Sequence, residues 1–305
     1  MPRTADALTA TAGRLRALDW REILFTVGGV LGWLFGLAAF VWVEQSEGGQ
    51  AFRLGPDLEA YLRAGTALLQ GDPVYVGQIG DRLNFPYAPP WAVIAAALSL
   101  LPPLVVQAGV VGLDLLAMRY VAGSWRGVGW FLLWPLTVFV ISAGNIDLLI
   151  AAAIVLAWSH HARAWSDAPG RGPSLASFSR VAPLTLMAFA KLAPILALPP
   201  RRWREAALAA LLCLAITLPV LGLWPEWIAY LSRQPTAIAI TPPWVPAWYW
   251  RLPLALLLAA LGSFVLRRPW LSALAVVVAI PSIYLSTTVI LAAPLRLWWD
   301  ERRAS

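Results

Sequence analysis

Ile23–Val43 reads ILFTVGGVLGWLFGLAAFVWV, an unbroken run without a single charged side chain. Wound as an α-helix at about 1.5 Å per residue, it spans the ~30 Å of a bilayer's hydrocarbon core. Arg3, Arg14, Arg16 and Arg21 precede it, and Glu44, Gln45 and Glu47 follow with no small-residue cleavage site. The run therefore reads as a retained first helix and not a signal peptide, with the amino terminus in the cytoplasm. Further along, Ala206–Leu223 and Ala247–Leu266 approach or reach the same length. The whole chain agrees with these runs: of 305 residues 60% are hydrophobic and only 13% charged, against about one quarter charged in a soluble domain. In hydrocarbon every backbone polar group needs an internal partner, so only helices or closed barrels cross it. No alternating strands of ~10 residues are present, which leaves helices. The expectation is an all-α, polytopic transmembrane bundle.

The net charge of +7 would suggest nucleic acid in a soluble protein, but here the arginines lie between hydrophobic runs and follow the positive-inside rule. Nucleic acid is not an expected partner. Cys213 is the one cysteine and lies in an apolar run, which excludes an internal disulfide and a zinc centre. Many of the eighteen tryptophans, among them Trp224, Trp227, Trp244, Trp248, Trp298 and Trp299, fall near run ends, where indole rings anchor at headgroup level.

Threading the chain from a cytoplasmic start puts Glu44 to Pro86 outside, with six of the sixteen carboxylates. Trp91–Leu101 lies between Pro89-Pro90 and Pro102-Pro103; as helix it extends only ~16 Å, so it dips into the membrane without crossing. Leu104–Met118 then runs inward, Gly129–Ile141 outward to a turn at Ser142 to Asp147, and Leu148–Trp158 inward again. His160, His161, Arg163, Arg171 and Arg180 fall in a cytoplasmic loop, and Arg201, Arg202 and Arg204 belong on that side too. Val181–Pro200 must therefore turn back as two half-helices meeting near Lys191 and Pro194. Ala206–Leu223 runs outward, Ala247–Leu266 inward, Leu271–Ile280 outward and Leu285–Trp298 inward. This threading places seventeen of the 23 basic residues in the cytoplasm. Residues 1–305 read as one membrane domain, with an outer catalytic loop at 44–90, a second outer loop at 224–246 and no internal repeat.

Polar residues are sparse enough to weigh singly. Gly55-Pro56-Asp57 opens an amphipathic helix whose stripe is Leu58, Tyr61, Leu62, Leu68 and Leu69 and whose end is Gly71; it should lie on the outer membrane face. Asp57 and Tyr61 share one side of it, and the carboxylate sits at the positive end of the helix dipole, either as a base or as a cap. Lys191 is the only lysine. At membrane depth its amine calls for an anion, such as a lipid phosphate; snorkelling or pairing with Asp114 is the alternative. Asn145 and Asp147 either line the same outer cavity or satisfy turn backbone.

Gly55-Pro56-Asp57, Tyr61, Gly71-Asp72-Pro73-Val74-Tyr75, Phe85-Pro86-Tyr87-Ala88-Pro89-Pro90, Gly144-Asn145-Ile146-Asp147 and Lys191-Leu192-Ala193-Pro194 before Arg201-Arg202-Trp203-Arg204 together resemble glycosyltransferase family 87. The resemblance runs from about Ala51 to Arg204 and more weakly to Tyr284. It implies a membrane glycosyltransferase of the C type in the plasma (inner) membrane. Such an enzyme moves a hexose, typically mannose, from a polyprenyl-phosphate donor to a lipid or glycan acceptor outside the cytoplasm. It further implies Asp57 as the catalytic base of an inverting displacement. Tyr61, Tyr75, Tyr87, Asn145, Asp147 and Lys191 would bind substrate, with Arg233 as a second cation for the leaving phosphate. No cofactor is implied, and Asp57, Asp72 and Asp81 match no metal-binding loop. The family's Gly-Gln-x-Asn turn is Gly144-Asn145-Ile146-Asp147 here. A transporter or lipid flippase is the rival reading, and a non-catalytic assembly subunit a second.

Overall fold

A computed structural model describes residues 55–78, 84–133, 135–159, 174–234, 246–281 and 285–304. The first apolar run with its flanking arginines, Glu44, Glu47, Asp81, His160, His161, Trp244 and Tyr284 lie outside the described residues. Among those described, regular structure is entirely helical, with no strand.

Helix α1 is Pro56–Gln70, begun by proline and closed by Gly71 at φ 76, as the sequence predicts. It does not rest on its stripe alone: Leu58, Tyr61 and Leu62 are buried, and Gly65 presses so closely on α2 (Pro89–Ser99) that a Cβ would come 2.2 Å from the Ala95 carbonyl. Helix α3 is Pro103–Ala122. Arg296 from the far end of the chain donates Nη1 to the Val121 carbonyl at 3.0 Å and so closes α3's last turn.

The expected piece Gly129–Ile141 is described as helix over Trp125–Leu133 (α4) and Pro135–Ala143 (α5). Helix α6, Asp147–Trp158, is deeply buried: Leu148, Ile150, Ala151 and Ile154 are at most 1% exposed. Its alanines let α3 and α7 come close.

Helix α7 starts earlier than expected, at Leu175, behind a reciprocal Ser174–Ser177 capping box, and ends at Ala190. The break at Lys191 to Pro194 falls where it was read. The second half is no half-helix, however, but a 3₁₀ turn, Ala193–Ala197, because Pro194 and the Pro199-Pro200 pair leave too few N–H groups for a longer one. Trp158 holds that turn by donating Nε1 to the Ala197 carbonyl at 2.7 Å.

Ala206–Leu223 is likewise not one helix. Helix α8, Trp203–Ala215, stops before Thr217; a short 3₁₀ turn at Leu218–Val220 carries Pro219, and α9, Leu223–Ser232, fills the start of what was read as the second outer loop. Helix α10, Trp248–Ala260, continues as a π-helical turn, Leu261–Val265, and packs on α11, Pro269–Ala279. The last expected piece is a 3₁₀ segment, Leu285–Leu291, followed by α12, Ala292–Ala304, which carries helix through the basic tail.

Pro103–Ala122 and Trp248–Val265 are long and apolar enough to cross a membrane, while α2, α6, α7 and α11 are apolar but shorter. Large apolar side chains face outward along α3, α8 and α10, including Leu104, Leu116, Leu211, Leu257 and Phe264. Not every tryptophan is an outer anchor. Trp91, Trp158 and Trp227 donate inward to backbone carbonyls, whereas Trp125, Trp203 and Trp250 stand exposed.

Candidate active site around Asp57

Two glycines decide where Asp57 sits. At Gly55, before the first turn of α1, an added Cβ would lie 2.0 Å from the Ser142 carbonyl oxygen. Gly144, at φ 70 in the α5–α6 turn, would put one 2.8 Å from Leu58 Cβ. Only side chains of this size let the start of α1 lock into the turn, and the left-handed conformation of Gly144 favours glycine by itself.

The lock brings Asn145 to Asp57. Asn145 donates Nδ2 to Asp57 Oδ2 at 2.7 Å, and its Oδ1 accepts from the Asp147 backbone N–H at 2.9 Å. The second bond is a local side-chain turn that fixes which end of the amide faces Asp57. Asp147, wholly buried in the first turn of α6, gives Oδ1 to an ion pair with Lys191 Nζ. Lys191 itself ends α7 in an extended conformation, with its side chain 19% exposed. Both charges suit their places: a carboxylate at a helix start, an ammonium at a helix end.

Asp57 is half-buried by area yet crowded by protein, and that crowding pushes its carboxyl above the ordinary range. The Lys191 charge and the Asn145 hydrogen bond pull the other way, and Asp147 adds to the rise. A carboxylate made more basic by its surroundings is the better proton acceptor.

Beneath it stands an aromatic wall. Tyr61 and Tyr87 share a hydrogen bond at 3.0 Å, Tyr75 donates to the Tyr87 carbonyl at 3.1 Å, and Phe85 stacks edge-on against Tyr61 and Tyr87. The three tyrosines are buried, and burial pushes the Tyr61 and Tyr75 hydroxyls upward. Tyr230 of α9 donates to Asn84 Oδ1 at 2.6 Å, and Trp227 to the Pro86 carbonyl at 3.0 Å, so α9 is joined to the wall.

Of the residues singled out in the sequence, Asp57, Asn145, Asp147 and Lys191 therefore converge, and the tyrosines support them. Arg233 is apart: it is exposed at the end of α9, where Nε donates to the Ala229 carbonyl at 3.1 Å. The alternative partner for Lys191, Asp114, is not the one it has. No group of three potential metal ligands occurs among the described residues.

Comparison with known protein families, curated proteins and solved structures finds no match in any of the three.

Two polar residues escaped the sequence reading. Arg251, hidden inside an apolar run, donates to the carbonyls of Pro246, Val278 and Pro281 at 2.8, 2.8 and 2.9 Å and so ties α10 to the end of α11. Asn84 keeps its Nδ2 buried beside Tyr230 without a partner among the described residues. One arginine within a hydrophobic run was the only signal available for the first; nothing in the local sequence marked the second.

Proposed function

We propose that the protein is a polytopic membrane glycosyltransferase that moves a hexose, mannose by resemblance, from a polyprenyl-phosphate donor to an acceptor hydroxyl outside the cytoplasm. The observation that carries the reading is the contact of Asp57 with Asn145 beside the Lys191–Asp147 pair. It gathers three separate stretches of the family 87 resemblance around one carboxylate. The outward apolar rows on α3, α8 and α10 support a membrane setting, because large contiguous apolar surface is rarely left to water.

In this reading the acceptor hydroxyl oxygen attacks the sugar's anomeric carbon as Asp57 takes its proton. The bond from that carbon to the phosphate oxygen breaks with inversion, and polyprenyl phosphate leaves. Phosphate needs no general acid; its growing charge falls to Lys191, which shares itself between Asp147 and the ligand. The buried tyrosines hold the wall that orients Asp57 and do not act as acids. Arg233 is the more distant candidate for the phosphate.

Membranes holding the full chain or Asp57→Asn, given radiolabelled polyprenyl-phosphate-mannose and a lipid extract, test this directly. Label should pass from donor to a new product only with Asp57. Unchanged donor in both preparations, across several donor sugars, would remove the transferase reading. A transporter would then come forward, favoured by one observation: Asp114, a buried acid without a hydrogen-bond partner among the described residues, inside a candidate span.

A further inference from the structure

Asp114 is wholly buried midway along α3, and neither carboxylate oxygen has a hydrogen-bond partner among the described residues. Buried carboxylates are paired, protonated or bound to cations, because an unpartnered charge in a low-dielectric interior is among the costliest groups a fold can hold. Lys191 does not serve it, being taken by Asp147.

Among the described residues three further oxygens are buried without partners: Thr137 Oγ1 on α5, Thr287 Oγ1 on the 3₁₀ segment Leu285–Leu291, and Oδ2 of Asp147 on α6. Their elements pack around one another. Ala117 and Met118, one turn beyond Asp114, share a cluster with Val140, one turn beyond Thr137, with Leu148 beside Asp147, and with Val289, two residues from Thr287. The Asp147 carboxylate also lies close enough to repel that of Asp114. The two threonines depart from a local habit. Thr66, Thr185 and Thr217 each donate to the carbonyl three or four residues back, as helical threonines do. Thr137 and Thr287 do not.

We propose that Asp114, the Thr137 and Thr287 hydroxyls and Asp147 Oδ2 hold a monovalent metal cation inside the helical bundle. These four groups offer only oxygens, the ligands of hard cations. The charge selects the valence. Asp147 is already offset by Lys191, so Asp114 contributes one net negative charge and one positive charge cancels it; a dication would leave the interior positive. Bound there, the cation offsets the Asp114 charge that faces Asp147. The inference stands whether the protein transfers a sugar or transports a solute.

The test is the thermal stability of the detergent-purified full chain, read by tryptophan fluorescence, as sodium chloride replaces choline chloride at constant ionic strength. Wild type should rise in Tm to a plateau with sodium. Asp114→Asn should lose the sodium response. Thr137→Val, which keeps the charge, should need on the order of tenfold more sodium for the half-maximal effect, and it decides the matter if Asp114→Asn fails to fold. A wild type indifferent to sodium, or the same response in wild type and variants, overturns the proposal and leaves Asp114 as a buried neutral acid.

Discussion

Asn145 holds Asp57 and its own turn with opposite ends of one amide: Nδ2 is 2.7 Å from Asp57 Oδ2, while Oδ1 accepts the Asp147 N–H. An aspartate at this position keeps the turn and loses the donor, and it sets a second negative charge against Asp57. Asn145→Asp should therefore lower donor turnover by about 10- to 100-fold, the cost of roughly 1–3 kcal/mol for a lost bond to a charged group, with little change in Tm. Loss of fold alongside activity would show that Asn145 acts on stability first.

The rise of the Asp57 carboxyl has a definite sign. A raised acid in the folded chain binds its proton more tightly than in the unfolded chain, so its ionisation costs stability as pH climbs through the raised value and costs nothing below the ordinary range of about 4. Asp57→Asn should thus match wild type in Tm near that acidic limit and exceed it at neutral pH. Wild-type turnover should fall on the acid side at a pH above the ordinary carboxylate range. Parallel Tm curves for the two proteins would contradict the shift.

Removing Lys191 strands Asp147, which is 0% exposed. Lys191→Met should destabilise by about 3–5 kcal/mol, as loss of one partner of a buried pair does. The double change Lys191→Met with Asp147→Leu should recover much of the Tm without recovering turnover. Thermal melts of the three proteins in the same detergent separate pair energetics from site chemistry.

Glycines at the lock and in α3 should respond in opposite directions. Gly55→Ala drives a methyl onto the Ser142 carbonyl, a backbone atom that cannot yield cheaply, and should cost about 1–3 kcal/mol or more. Gly112→Ala meets nothing within 4 Å on a helix and should stabilise by about 0.5–1 kcal/mol. Melting temperatures moving the same way for both would mean that the lock is not tight.

Elements with strong local punctuation were legible in the sequence. Pro56 and Gly71 bound α1 where they were read to, and Pro194 marked the break after Lys191. Hydropathy alone was less reliable, because it counts proline as a minor blemish. Pro219 divided a run that looked continuous, since one missing N–H and one ring clash outweigh the apolar neighbours that share the run. At the site, the residue types were legible and the pairing was not. Whether Lys191 meets Asp114 or Asp147 depends on how α7 ends against α6, and no local pattern reports the packing of two elements 44 residues apart. The tyrosines read as ligands from their polar hydroxyls; the fold adds that Tyr61 and Tyr87 bond hydroxyl to hydroxyl and that Tyr75 donates to the Tyr87 carbonyl.

A chain whose basic residues are otherwise all arginine has a single side-chain primary amine, and that amine is the partly exposed Lys191. An acylating reagent applied to the folded protein would modify its lysine at one address. The rate of that reaction becomes a built-in gauge of the pair: slow while Asp147 holds the ammonium, fast when the contact opens, and readable by mass without any engineered label.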